Sequence, residues 1–205
     1  EQSTNVTKKI KKVGESVGLE VKHINDLDIN SMYAEYAPCQ YNDSIFFFAG
    51  VRPLDAKLAD TSFIYANYLT RVIQATRRND STWSNVKVVS SLIDPNAHVN
   101  NLSFTRDGKT AYFSKCFGYN CSIYKADFDP KFLDFSNVTK LPAPINMAQT
   151  SNTTPQIAYT SQGDYLFFAS NRKGTKGGYD IWYASIDSSG NIGSVQNCGK
   201  NVNTI

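Results

Sequence analysis

A chain of 205 residues, 41% hydrophobic and 13% aromatic, is long enough for one large or two small domains and apolar enough to pack a core. Its net charge of +3, from 21 Lys and Arg against 18 Asp and Glu, is too weak a bias to mark a nucleic-acid binder. No apolar run approaches the roughly 18 residues of a membrane-spanning helix.

The chain opens on Glu1 without Met and without a signal-peptide apolar stretch, and so reads as a processed or trimmed piece. Residues 1–18 read as a linker whose cluster Lys8, Lys9, Lys11 and Lys12 is a solvated element end. Residues 19–29 read as a closing strand, because Ile29-Asn30-Ser31 echoes Val202-Asn203-Thr204 near the other end.

Next comes "NDSIFFFAGVR" (42–52), a turn followed by an apolar run that ends in Arg52. The same form returns in "DGKTAYFSKC" (107–116) and "QGDYLFFASNR" (162–172). A second anchor, in "RVIQATR", "SIYKADF" and "DIWYASID", sets Val72, Ile123 and Ile181 at steps of 51 and 58 residues. A third, in "TWSNVKVVSSL", "DFSNVTKLP" and "NIGSVQNCG", sets Trp83, Phe135 and Ile192 at steps of 52 and 57. A fourth is an apolar residue or Pro before Asn: Pro95-Asn96, Ile145-Asn146 and Val202-Asn203.

Four anchors sharing one period define a repeat. Each unit reads as four short strands split by turn residues, the pattern of a β-propeller blade. The expected fold is therefore all-β, with strands near 44–49, 71–76, 83–89, 110–115, 122–127, 156–160, 165–170 and 180–186. The blades span about 30–95, 96–145 and 146–203, an arc of a larger ring of about six blades. Such an arc is expected to bare an apolar sheet face at each end. The first unit carries a surplus between strands two and three, "RPLDAKLADTSFIYANY", whose Leu58, Phe63 and Tyr65 are too apolar for a solvated loop. With Arg52 they are candidate protein contacts, as are Lys173 and Lys176 in the Gly-rich loop "NRKGTKGGYD".

The segments "TRDGKTAYFS", "TPQIAYTSQGDYLFFASNRKGTKGGYDIWYAS" and "GKNVNT" resemble the WD40-like (PD40, TolB-type) propeller repeats. The likeness is greatest to those of outer-membrane-associated OmpA-family proteins, among them the PorE-type component of the type IX secretion system. It covers about residues 19–205. It implies a non-catalytic periplasmic scaffold that docks proteins of an outer-membrane assembly, reaching peptidoglycan only through domains outside this chain. A carbohydrate-active or peptidase-associated propeller with a site at the central channel is the alternative.

The residues were searched for chemistry with that alternative in view. His23 and His98 have no partner at metal-ligand spacing. There is no Walker loop and no G-x-S-x-G elbow, so no cofactor and no catalytic residue is expected. Gly108 directly follows Asp107, which breaks the spacing of a sialidase Asp box; a type I′ turn accounts for the pair. The inter-blade segments 93–100 and 142–152 supply only Asp94 and His98 as titratable groups, which favours the scaffold. Cys116 and Cys121 fall on facing ends of a hairpin and are either a disulfide or two small buried thiols. Cys39 and Cys198 read as buried core residues.

Overall fold

The computed structural model describes residues 29–52, 68–79 and 82–205. The contact candidates Leu58, Phe63 and Tyr65, the rest of the surplus between Arg52 and Tyr68, the linker and the closing strand up to Ile29 lie outside those residues. Three four-stranded antiparallel sheets follow one another along the chain. The first holds β1 (Glu35–Gln40), β2 (Ile45–Val51), β3 (Thr70–Arg77) and β4 (Trp83–Val88). The second holds β5 (His98–Phe104), β6 (Thr110–Phe117), β7 (Asn120–Asp129) and β8 (Asp134–Lys140). The third holds β9 (Asn152–Thr160), β10 (Gly163–Ser170), β11 (Asp180–Ile186) and β12 (Gln196–Asn197). Each sheet is a meander, and β1, β5 and β9 lie side by side at its inner edge. These are three blades of a β-propeller.

Packing follows the alternation of each strand. Phe47 and Val72 of blade 1 meet Val99, Phe104, Phe113, Phe128 and Phe135 of blade 2 in one buried cluster. Its rings sit at edge or tilted angles, with Phe104 and Phe128 centroids 5.1 Å apart and Phe128 and Phe135 4.8 Å apart. The equivalent positions of blade 2, Tyr112 and Ile123, pack on Leu166, Phe168 and Trp182 of blade 3. In blade 3 the same side of the sheet carries Phe167, Ile181 and Tyr183, which are only partly covered. The far side of blade 1 departs from the expected bare face. Phe48, Ile73 and Ala75 are buried there, beside Ile29, Phe46 and Trp83.

Two bulges recur. Each inner strand loses register near a residue in the left-handed region: Ala37 (φ 51°), Asn101 (φ 57°) and Thr154 (φ 51°). The outer strands of blades 1 and 2 do the same at Asn85 (φ 52°) and Asn137 (φ 53°). This explains the shared Ser-Asn-Val of the third anchor, since Asn tolerates that conformation better than most residues. The Asp107-Gly108 turn is not type I′, because only Gly108 (φ 68°) is left-handed. A β-carbon on Gly108 would lie 2.8 Å from the Tyr41 hydroxyl, so glycine is required twice over. The outer strand of blade 3 shrinks to Gln196–Asn197, preceded by a single bridge from Ile192 to Ile186 and a Gly193 N–H bond to Ser185 O at 2.9 Å.

The fourth anchor has a specific task. β8 ends at Lys140, opposite Tyr124, which leaves Ile123 at the edge of β7 without a full partner. Leu141 N–H donates to Ile123 O (3.0 Å), and the Asn146 side chain supplies the rest. Its Oδ1 accepts Ile123 N–H (2.9 Å), and its Nδ2 donates to Ile123 O (2.7 Å) and Leu141 O (2.8 Å). Asn203 does the same at Ile181 in blade 3, accepting its N–H at 2.8 Å and donating to its carbonyl at 3.0 Å. Asn96 departs from this pattern. Only its backbone N–H is engaged, with Asp94 Oδ1 at 2.9 Å, and the crossover there forms a 3-10 turn over Ser90–Leu92.

Asn146→Ala removes three hydrogen bonds and orphans the Ile123 N–H, so it is expected to lower unfolding stability by about 2–4 kcal/mol. Asn96→Ala is expected to cost less than about 1 kcal/mol. Urea unfolding of both variants measures the difference, and equal losses would contradict the assigned roles.

Candidate functional site

The blades have two unlike ends. At the crossover end, outer strands lead into the next inner strand, and the links between second and third strands lie alongside. Arg52, expected as a contact, is turned inward here. It pairs with Glu35 Oε1 at 2.7 Å and also donates to Ile29 O. Arg172, its equivalent in blade 3, is 4% exposed and donates to Pro144 O (3.0 Å), Ile145 O (2.6 Å) and Asn152 Oδ1 (2.9 Å). Both arginines therefore brace the crossover that precedes their own blade. Lys173 and Lys176 do reach solvent, on the loop that joins β10 to β11. Cys116 and Cys121 form a disulfide with Cα atoms 4.0 Å apart, closing the β6–β7 hairpin. Cys39 and Cys198 are half-buried rather than core residues, and burial pushes the Cys39 thiol up to about 11.

A chain of polar groups spans the seam between blades 1 and 2 at this end. Asn100 Nδ2 donates to the Tyr36 hydroxyl (3.2 Å), and that hydroxyl donates to Thr70 Oγ1 (3.3 Å). Thr70 N–H donates to His98 Nδ1 at 3.1 Å, with Thr70 Oγ1 3.3 Å from the same nitrogen. Nδ1 is thus an acceptor, and the neutral ring carries its proton on Nε2. Burial, and then the Arg71 guanidinium, hold the His98 pKa below its usual 6.5. Asn100 is 8% exposed, yet its Oδ1 has no hydrogen-bond partner. Tyr36 and Tyr68 stand partly exposed beside this seam, and Tyr33 meets Tyr68 edge-on at 6.4 Å.

The three left-handed residues of the inner strands converge next to it. Ala37, Asn101 and Thr154 line one cavity of about 250 Å³ with Pro38, Leu102 and Gln156. The lining thus mixes the amides of Asn101 and Gln156 and the Thr154 hydroxyl with apolar residues. Glu35 is the one carboxylate on β1, β5 and β9, and Arg52 and Ser31 hold it. Asp94, the other acid of this region, pairs with Lys115 at 3.1 Å. Burial opposes its ionisation, but hydrogen bonds from Asn96 and Lys115 outweigh that and keep its pKa low.

A larger cavity, about 550 Å³, lies at the opposite end among Tyr41, Arg106, Asp107 and Tyr159. Its polar groups satisfy one another. Arg106 pairs with Asp164 at 2.7 Å, the Tyr159 hydroxyl donates to Phe104 O at 2.6 Å, and Asp107 accepts from Thr105 at 2.7 Å. Buried polar atoms without a partner also occur at Gln74, Asp180 and Trp182, but at the seam one of them stands beside partly exposed tyrosines and a cavity, and that combination, rather than volume, marks the seam as the candidate site. Of its members, sequence reading singled out His98. Tyr36, Thr70 and Asn100 were missed, although the pair Asn100-Asn101 inside an otherwise apolar strand was a visible signal.

No family model matches the sequence, and no curated protein does. Solved structures similar to it include a thermostable family-43 glycoside hydrolase, at 14% identity and a TM-score of 0.52 over 82% of this chain and 56% of that one. TolB from Acinetobacter baumannii matches at 17% identity and a TM-score of 0.49, over 86% of this chain and 35% of that one. The family-43 endo-arabinanase from Bacillus licheniformis matches at 18% and 0.45, over 82% of this chain and 61% of that one. The chain thus spans less than two thirds of each. The likeness to the thermostable hydrolase is one of fold, and it places the blades in the β-propeller class. It also corrects the expectation of a non-catalytic chain, because this fold is one that glycoside hydrolases use.

Protonation of His98 would set an N–H against the Thr70 N–H. Since the folded pKa lies below the unfolded one, the stabilisation is complete above about pH 6.5 and declines as pH falls through the lowered folded value. His98→Asn keeps an acceptor without a titrating ring. Urea midpoints measured between about pH 7.5 and about pH 5 should fall for the wild type and fall less for the variant. Parallel slopes would contradict the assignment.

Proposed function

We propose that these blades belong to a carbohydrate-recognising propeller that works outside the reducing cytoplasm, with its binding site at the channel mouth between blades 1 and 2. The observation that carries this reading is the buried, unpartnered Asn100 Oδ1 at the head of a hydrogen-bonded chain of neutral groups. An orphaned buried carbonyl costs about 1–3 kcal/mol, and a ligand hydroxyl recovers that loss. Sugars offer hydroxyl donors, and partly exposed tyrosines such as Tyr36 and Tyr68 offer rings for their apolar faces. The neutral state of His98 suits an uncharged ligand in the same way. Family-43 glycoside hydrolases share the fold, which supports the substrate class. The Cys116–Cys121 disulfide supports an oxidising compartment, and the repeat resemblance supports the periplasm.

Titration calorimetry with neutral arabinan- and xylan-derived oligosaccharides tests the reading. Saturable binding is expected with a Kd of about 0.1–1 mM, typical of a shallow polar site. Asn100→Ala should weaken it about tenfold, and Tyr36→Phe, which keeps the ring, should weaken it several-fold. Absence of binding to every oligosaccharide, or unchanged affinity in both variants, would overturn it.

A further inference from the structure

Blade 2 breaks the repeat at the crossover end in two places. Where blades 1 and 3 place Arg52 and Arg172 as inward braces, blade 2 places Phe117, which is 49% exposed. Two residues on, Tyr119 is 97% exposed at the tip of the β6–β7 hairpin. That tip is held rigidly. The Cys116–Cys121 bond closes it, Cys121 N–H donates to Ser151 Oγ (3.0 Å), and Ser151 Oγ donates to Tyr119 O (3.1 Å). An exposed aromatic side chain on a cross-linked hairpin has its backbone already ordered before binding, which lowers the entropy an interface anchor must lose.

The surroundings extend the patch. Met32, Met147, Tyr179 and Val202 are exposed on the crossovers and the β10–β11 link at this end. Among the described residues, the opposite end exposes only Phe132 and Tyr159 of comparable size. Charge divides in the same way. Among the described residues, the acids of the crossover end are engaged: Glu35 by Arg52, Asp94 by Lys115, and Asp180 by Asn197 and the Lys176 N–H. Lys140, Lys173 and Lys200 are exposed there with no carboxylate partner among the described residues, and Lys176 is exposed near Asp180 without an ion pair to it. The patch is thus apolar, basic and anchored on blade 2.

We propose that this end docks an acidic polypeptide segment of a partner protein, with Tyr119 and Phe117 as its apolar anchors and Lys173 and Lys176 as its charge partners. Charge complementarity selects an acidic occupant, and the lysines would speed its approach. The apolar side chains stand on separate loops with polar residues such as Asn120, Thr150 and Asn171 between them. That spacing suits a segment with a few apolar side chains better than insertion into a lipid layer. Lys173 and Lys176 thereby gain a role as contacts, and Phe117 and Tyr119 join them.

The test is a random peptide library selected on the full chain, with vesicles of phosphatidylglycerol and phosphatidylcholine as a parallel probe. Enriched peptides should be acidic and carry aromatic or aliphatic residues. Their affinity should fall about tenfold with Tyr119→Ala and with the double change Lys173→Glu, Lys176→Glu, and should weaken with salt. Both sites are exposed, so melting temperatures should hold, and oligosaccharide affinity at the seam should stay unchanged. Enrichment without acidic residues, indifference to both variants, or binding to anionic vesicles but not to peptides would each overturn the proposal.

Discussion

Every blade must stop its sheet and hand the chain to the next, and at that point backbone groups lose their ladder partners. An unpaired buried amide or carbonyl costs about as much as several favourable contacts return, so the crossovers decide whether the arc can exist. Asn146 and Asn203 meet this constraint with one side chain each, extending the ladder one residue past the end of the outer strand. Arg172 secures the carbonyls of the preceding crossover, and Arg52 does so for Ile29 O. A guanidinium suits this task because its fork of donors serves several acceptors at once. For Arg172 the rings of Phe168 and Trp182, 4.8 and 5.3 Å from its centre, cover the charge that burial would otherwise penalise.

The candidate site depends on that bracing. The Tyr36–Thr70–His98 chain joins β1, β3 and β5, so it exists only while blades 1 and 2 hold their mutual register. Phe47, Phe104 and Phe128 set that register from within, and the crossover sets it from the end. The inner strands then line the channel without a free carboxylate among the described residues of β1, β5 and β9. Their left-handed bulges, together with Pro38 and Pro155, bend them there and set Asn101, Thr154 and Gln156 among apolar residues in the lining. One end of the arc therefore combines a neutral polar seam near the channel with a basic, aromatic rim outside it. Blade 2 contributes to both, through Asn100 and Tyr119.

Sequence reading recovers the middle strands well, because runs such as "IFFFAGV" and "YLFFAS" are buried on both faces and need no tertiary information to be recognised. It places no strand at β1, β5 or β8; "EYAPCQ" and "HVNNLSF" of the first two hold residues that disfavour a regular strand. Those residues sit at bulges that only neighbouring blades make sensible. The fourth anchor was visible as a recurring Asn, but its side-chain ladder could not be read from spacing. Asn96 carries the same signature and lacks the function, since its crossover folds into a 3-10 turn. The seam was legible only as His98. Its other members come from strands 28 to 64 residues apart, and no local pattern joins them. The bracing by Arg52 was not legible, because its acceptors Glu35 and Ile29 O lie 17 and 23 residues away in the chain.

The central claim is that asparagine side chains complete the sheet where the outer strands stop. Native-state hydrogen exchange of the Ile123 and Ile181 amides tests it most directly, since each donates to an asparagine side chain rather than to a neighbouring strand. The account predicts that both amides open only with global unfolding, with protection matching that of Phe113 and Phe168 inside the sheets. Exchange at the rate of exposed crossover amides such as that of Met147 would contradict it.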